Sequence, residues 1–71
     1  MSQDVRKILA INVSKYRIQS GYTKEELSLK LEFDNSYISK LENKRINITV
    51  DKLTKIADAL DVHVKDLFDF D

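Results

Sequence analysis

Val5, Leu9, Val13 and Tyr16 recur at steps of four, four and three residues, with Ile8 and Asn12 beside them. That is the spacing of one helical face, and it predicts a first helix from about Asp4 to about Ser20. Gly21, the only glycine, supplies the left-handed cap that ends it. A second helix, about Lys24 to Leu31, starts at Thr23. The Thr23 hydroxyl can cap it while Glu26 reaches back to the Thr23 amide, Tyr22 staples onto Leu27, and Leu27 and Leu31 share a face. Only Glu32 and Phe33 then precede Asp34, which offers a second cap. Beyond it, Ile38 and Leu41 give a third helix, about Asn35 to Asn43, its apolar stripe. After the polar, basic loop Lys44-Arg45-Ile46-Asn47-Ile48, Thr49 caps a fourth helix. Its Val50, Leu53, Ile56, Ala57 and Leu60 keep to one side, with Lys55 and Asp58 opposite. A last turn or two, Val64 to Phe68, forms a fifth.

Composition agrees with an all-α fold. The 71 residues include one Gly, no Pro and 34% charged side chains, which favours helices and leaves little turn chemistry for hairpins or a phosphate-cradling loop. No repeat or linker interrupts residues 1–71, so the chain reads as one domain. A domain of this size with no Cys has a barely sufficient core, so a partner subunit is expected on stability grounds. No run approaches the roughly 18 apolar residues of a membrane span, and the start MSQDVRK has no signal-peptide core. A cytoplasmic location with no membrane partner is expected.

Net charge is zero, but the sum conceals segregation. Residues 1–17 carry four basic and one acidic side chain, and residues 35–55 carry five basic and two acidic. Residues 56–71 hold five Asp against one Lys. A dipolar molecule can turn one basic face to a polyanion and its acidic end away.

An enzyme reading has almost nothing to use: no Cys, one His, and no ionisable cluster at a metal or triad spacing, so no metal and no cofactor is expected. His63 is expected at the start of the fifth helix as a cap or surface residue. Glu25 and Glu26 read as first-turn dipole chemistry plus a capping box. The short connection between the second and third helices instead outlines a helix-turn-helix. Asn35, Ser36, Ser39 and Lys40 point away from the apolar stripe of the third helix. Asn bonds bidentately to adenine, Ser to several bases, and Lys to guanine, so these four are the candidate base contacts in a major groove. Lys24, Asn43, Lys44 and Arg45 flank them as candidate phosphate contacts, with Lys15 and Arg6 weaker. Tyr37 is either a further phosphate contact or a core residue.

The run from Thr23 to Asn43 resembles the lambda-repressor and Cro type of helix-turn-helix family, also called the xenobiotic-response-element type. The resemblance extends from about Leu9 to Phe68. Its specific pieces are Gly21 before Thr23, Glu25-Glu26-Leu27, Leu31, Tyr37-Ile38-Ser39-Lys40-Leu41-Glu42-Asn43, and Lys55-Ile56-Ala57-Asp58-Ala59-Leu60 with Val62 and Leu67-Phe68 after it. It implies a compact five-helix DNA-binding domain, usually a homodimer, whose third helix lies in the major groove. It also implies an ion pair between Arg17 and Glu42, and a dimer interface at Leu67, Phe68 and Phe70 supported by the fourth helix. Arg45-Ile46-Asn47-Ile48-Thr49-Val50 is similar, more narrowly, to the controller proteins of restriction-modification systems.

The expected function is therefore a homodimeric transcriptional regulator on a palindromic double-stranded operator, which blocks or recruits RNA polymerase according to where that operator lies. Stand-alone phage or plasmid repressors share the domain, and an antitoxin-like protein-interaction module is the alternative from another class. The sequence also departs from the family pattern. Position 24 is Lys where Gln is favoured, Glu32 and Lys44 replace common turn glycines, and Asp34 sets a carboxylate where phosphates approach. At Glu32 either a Cβ tolerates a left-handed backbone or the turn differs.

Overall fold

A computed structural model describes residues 4–69. The described residues are all-helical, in the order α1 (Val5–Gln19), α2 (Lys24–Lys30), α3 (Tyr37–Glu42), α4 (Val50–Ala59) and a 3-10 turn (Val64–Phe68). The fifth element keeps its expected bounds, Val64–Phe68, but is a short 3-10 helix, so the described residues form four α-helices and this 3-10 turn. α1 packs on α3 and on the 3-10 turn, α2 on α3, and α4 on the 3-10 turn.

Leu9, Val13, Leu27, Ile38, Leu41, Leu53, Ile56, Ala57, Leu60 and Leu67 form one buried cluster drawn from every element. Two expected stripe members stay outside it: Val5 is 49% and Val50 76% exposed. Each is the first residue of its helix, ahead of the turns that meet the neighbouring elements. Among the described residues, two polar ones are buried in the core, Asn12 and Ser28. Asn12, 4% exposed, donates its amide to the Leu67 carbonyl at 2.9 Å and the Asp69 carbonyl at 2.6 Å, fastening the 3-10 turn to α1. Ser28, fully buried, donates to the Lys24 carbonyl at 3.0 Å and accepts the Ile38 amide at 3.1 Å.

The chain's helix ends follow one scheme. After α1, α2, α3 and α4, a residue with positive φ lets its own amide and the next one close on the last helical turn: Gly21 (82°), Glu32 (60°), Lys44 (61°) and Asp61 (58°). After α2 the Glu32 amide bonds Leu29 O at 3.0 Å and the Phe33 amide bonds Ser28 O at 2.9 Å; after α3 the Lys44 amide bonds Leu41 O at 3.0 Å and the Arg45 amide bonds Lys40 O at 2.9 Å. These are Schellman closures, which glycine makes most cheaply. A chain with one glycine strains three other residues into them.

Candidate nucleic-acid interface

α2 begins as its capping box requires. Thr23 Oγ1 accepts the Glu26 amide at 3.0 Å, and Glu26 Oε1 accepts the Thr23 amide at 2.8 Å. The start of α3 differs from expectation. Its first i to i+4 bond runs from the Ser36 carbonyl to the Lys40 amide at 2.9 Å, so Asn35 and Ser36 lie in the turn that leads into the helix. Asp34 does not cap the α3 amides with its side chain. Its carbonyl accepts the Tyr37 amide at 2.9 Å, while its carboxylate accepts the Ser36 hydroxyl at 2.8 Å. The side chain that does satisfy an α3 amide is Ser28, reaching across from α2 to Ile38. This bond locks the two helices together at the turn, because each depends on the other for a buried polar group.

With Ile38 and Leu41 in the core, the opposite side of α3 faces outward. Asn35 and Lys40 are exposed, and Ser36 and Ser39 are half-buried. Asn35, Ser36 and Ser39 line a shallow open cleft of about 560 Å³ together with Lys24, Thr23, Glu25 and Arg17, so three of the four candidate base contacts meet the α2 N-terminus in one surface. Lys40 does not line that cleft; its Nζ lies 3.6 Å from the Asp34 carboxylate. The Ser36 hydroxyl bond, with a smaller contribution from the Lys40 charge, lowers the Asp34 pKa below its ordinary 3.8. Asn43, Lys44 and Arg45 are exposed just past α3, and the Asn43 amide donates to the Ser39 carbonyl at 2.9 Å.

Arg17 and Glu42 meet. Arg17 Nε donates to Glu42 Oε2 at 2.7 Å, Nη2 to Oε1 at 3.3 Å, and Nη1 to the Tyr22 carbonyl at 2.8 Å. Their side chains are only 11% and 8% exposed. The pair ties α1 to the last turn of α3.

Of the two readings open for Tyr37 the structure has the core one, and Leu67 is corrected. Tyr37 packs edge-on against Phe33, with ring centroids 4.8 Å apart, and its hydroxyl is buried without a hydrogen-bond partner. It turns towards the protein and offers nothing to a phosphate, and burial raises its pKa above the usual 10.0. Leu67 is 0% exposed within its own chain, so it has no area to give a dimer interface. Phe68, 40% exposed, remains available, and Phe70 lies outside the described residues. Spacing puts Asn12 beside the apolar stripe of α1 but gives no sign that it bonds the Leu67 and Asp69 carbonyls, and nothing in the sequence signals that Ser28 accepts the Ile38 amide of α3.

A helix-turn-helix family profile (HTH_3) matches residues 13–67, from the second half of α1 into the 3-10 turn. The chain belongs to the helix-turn-helix family of the lambda-repressor and Cro type. It is 40% identical over 60 residues to a hypothetical transcription factor of Neisseria meningitidis, covering 84% of this chain and 57% of that protein's length. The crystal structure of a hypothetical transcription factor, NHTF, from Neisseria superposes with a TM-score of 0.90 at 38% identity, over 93% of this chain and 76% of the other. Control protein C.BamHI of Bacillus amyloliquefaciens is 32% identical over 71 residues, 99% of this chain and 88% of its own length. The biofilm master regulator SinR, solved in complex with DNA, matches with a TM-score of 0.78 and 34% identity over 86% of this chain and 98% of its own. No helix among the described residues is long and apolar enough to cross a membrane.

Proposed function

We propose that this protein is a sequence-specific regulator of transcription that binds a palindromic DNA operator as a homodimer, in the manner of a restriction-modification controller. One observation carries the reading. Asn35, Ser36 and Ser39 share an outward surface with the N-terminus of α2, while the reverse of α3 is anchored in the core. A single helix presented in this way fits the major groove. Asn35 is suited to an adenine edge, Lys40 to guanine O6 and N7, and Ser36 and Ser39 to either base type. Lys24, Asn43, Lys44 and Arg45 take backbone phosphates on the two sides and set the register before bases are read.

Kinship with C.BamHI supports the controller assignment, since the likeness runs almost end to end in both chains. The structure of SinR with DNA supports the groove-binding mode. Two-fold symmetry places the half-sites about 34 Å apart, one helical turn. The exposed Phe68 on the 3-10 turn is the described residue best placed to contribute to the dimer surface, with α4 beside it. Operator position relative to a promoter then decides whether the bound dimer blocks or recruits polymerase.

Selection of bound duplexes from a random pool tests the proposal. The expected product is a two-fold consensus whose half-sites are about one turn apart. A pool that never converges, together with retention of duplex that does not weaken with salt, would overturn it.

A further inference from the structure

Lys52 belongs to none of the contacts proposed above, yet its ammonium sits at the edge of the α3 surface. It projects from the first turn of α4, where its amide donates to Thr49 Oγ1 at 3.2 Å. Its Nζ lies 4.8 Å from the centre of the Tyr37 ring and 5.5 Å from that of Phe33. Tyr37 is the first residue of α3 and Phe33 belongs to the turn before it, so the rings fix this cation beside the helix that carries the candidate base contacts. At 3.6 residues per turn, Tyr37 stands roughly 160° around α3 from Ser39, on the flank away from the cleft that contains Lys24.

The seat holds the charge without cancelling it. A ring face attracts an ammonium through its quadrupole and leaves the full positive charge for a third party. Among the described residues the ion pairs are Arg6 with Asp4, Arg17 with Glu42 and Lys40 with Asp34; Lys52 is in none of them. Lys40, by comparison, is partly neutralised by Asp34 on that same flank. The neighbouring Tyr37 hydroxyl is buried, so the Lys52 ammonium is what this corner offers a phosphate.

Building on the reading of α3 as a groove-binding helix, we infer that Lys52 is a DNA-backbone contact. It takes a phosphate on the flank of α3 opposite Lys24, so the helix is clamped from both sides by lysines that approach from α2 and α4. Recognition is of the phosphodiester charge, and Lys52 adds affinity without base preference.

The test is the salt dependence of binding by the full chain to one selected operator duplex and one random duplex. An active fraction that is constant with salt shifts the affinity but not the slope of log affinity against log salt, so the folded fraction of each variant is measured by circular dichroism at every salt concentration used and divided out. Lys52→Ala should lower the slope by about 0.9 on both duplexes, and Lys52→Arg should keep the wild-type value. Lys55→Ala, which removes an exposed charge from the outer side of α4, should leave the slope unchanged. A wild-type slope in Lys52→Ala overturns the inference while leaving the groove-binding reading in place. An equal fall in Lys55→Ala also overturns it, by showing a general effect of net charge. If the wild-type protein itself binds without salt dependence, the reading beneath the inference fails, and the inference fails with it.

Discussion

Replacing Glu42 by Ala should cost about 3–5 kcal/mol of folding free energy, the usual loss when one partner of a buried ion pair is removed. The pair is 11% and 8% exposed, so water cannot take over the role of the carboxylate. Arg17 would keep only its bond to the Tyr22 carbonyl and would hold an uncompensated charge between α1 and α3. A chain of this length has a total stability of roughly 4–11 kcal/mol, so the variant would be largely unfolded on warming. Urea denaturation followed by circular dichroism measures the change directly. The double variant Arg17→Met with Glu42→Leu separates the stranded charge from lost packing: it should recover most of the loss, because replacing both buried charges by apolar groups is often neutral or stabilising. A cost below about 1 kcal/mol for Glu42→Ala would put the pair among surface salt bridges and refute the argument. A double variant no more stable than the single would refute it equally.

Glu32→Gly and Lys44→Gly should each stabilise the protein by about 1 kcal/mol, because both positions are left-handed at φ 60° and 61°; melting temperatures should rise by about 4–8 °C per substitution. Tyr37→Phe should leave stability unchanged or raise it, since the hydroxyl it removes is buried with no partner; a loss above about 1 kcal/mol in urea would reveal a hydrogen bond that the structure lacks. Asp34→Asn should tighten DNA binding by freeing Lys40 and removing a carboxylate near the phosphates, as read by gel shift at fixed salt. The folded-state pKa of Asp34 lies below its ordinary 3.8, so its ionised form favours the fold at neutral pH. That contribution is lost as pH falls below 3.8 and through the lowered value, and the pH–stability profile of Asp34→Asn should lack this component.

Much of this fold was legible because its signals are local. The Thr23–Glu26 capping box needs residues only three apart, and Gly21 announces its own turn. The left-handed backbone at Glu32 and Lys44 was foreshadowed only by comparison with a family that places glycine there, since nothing in a Glu or Lys side chain announces positive φ. The start of α3 was misplaced because Asp34 has the chemistry of a cap, yet its carboxylate is taken by Ser36 and the amide of Ile38 is met from α2. Asn12 bonds carbonyls 55 and 57 residues away, a contact that no window of sequence contains. Leu67 was misjudged, and Tyr37 left open between core and phosphate, for a related reason: both are amphipathic or apolar residues on short elements, and only tertiary packing decides which way such residues turn. The proposed base-contact surface was readable as a set because burying Ile38 and Leu41 forces Ser39 and Lys40 outward on the same short helix.

The central claim is that the outward side of α3 reads bases, and Asn35→Ala tests it most directly. Affinity should be measured for the selected operator, for operators altered at single symmetric base pairs, and for random duplex, all at one salt concentration. The account predicts a loss of about 1–3 kcal/mol on the operator, no loss on random duplex, and relaxed preference at one symmetric pair of positions. Equal binding by variant and wild type to every duplex, with base preference intact throughout, would contradict it.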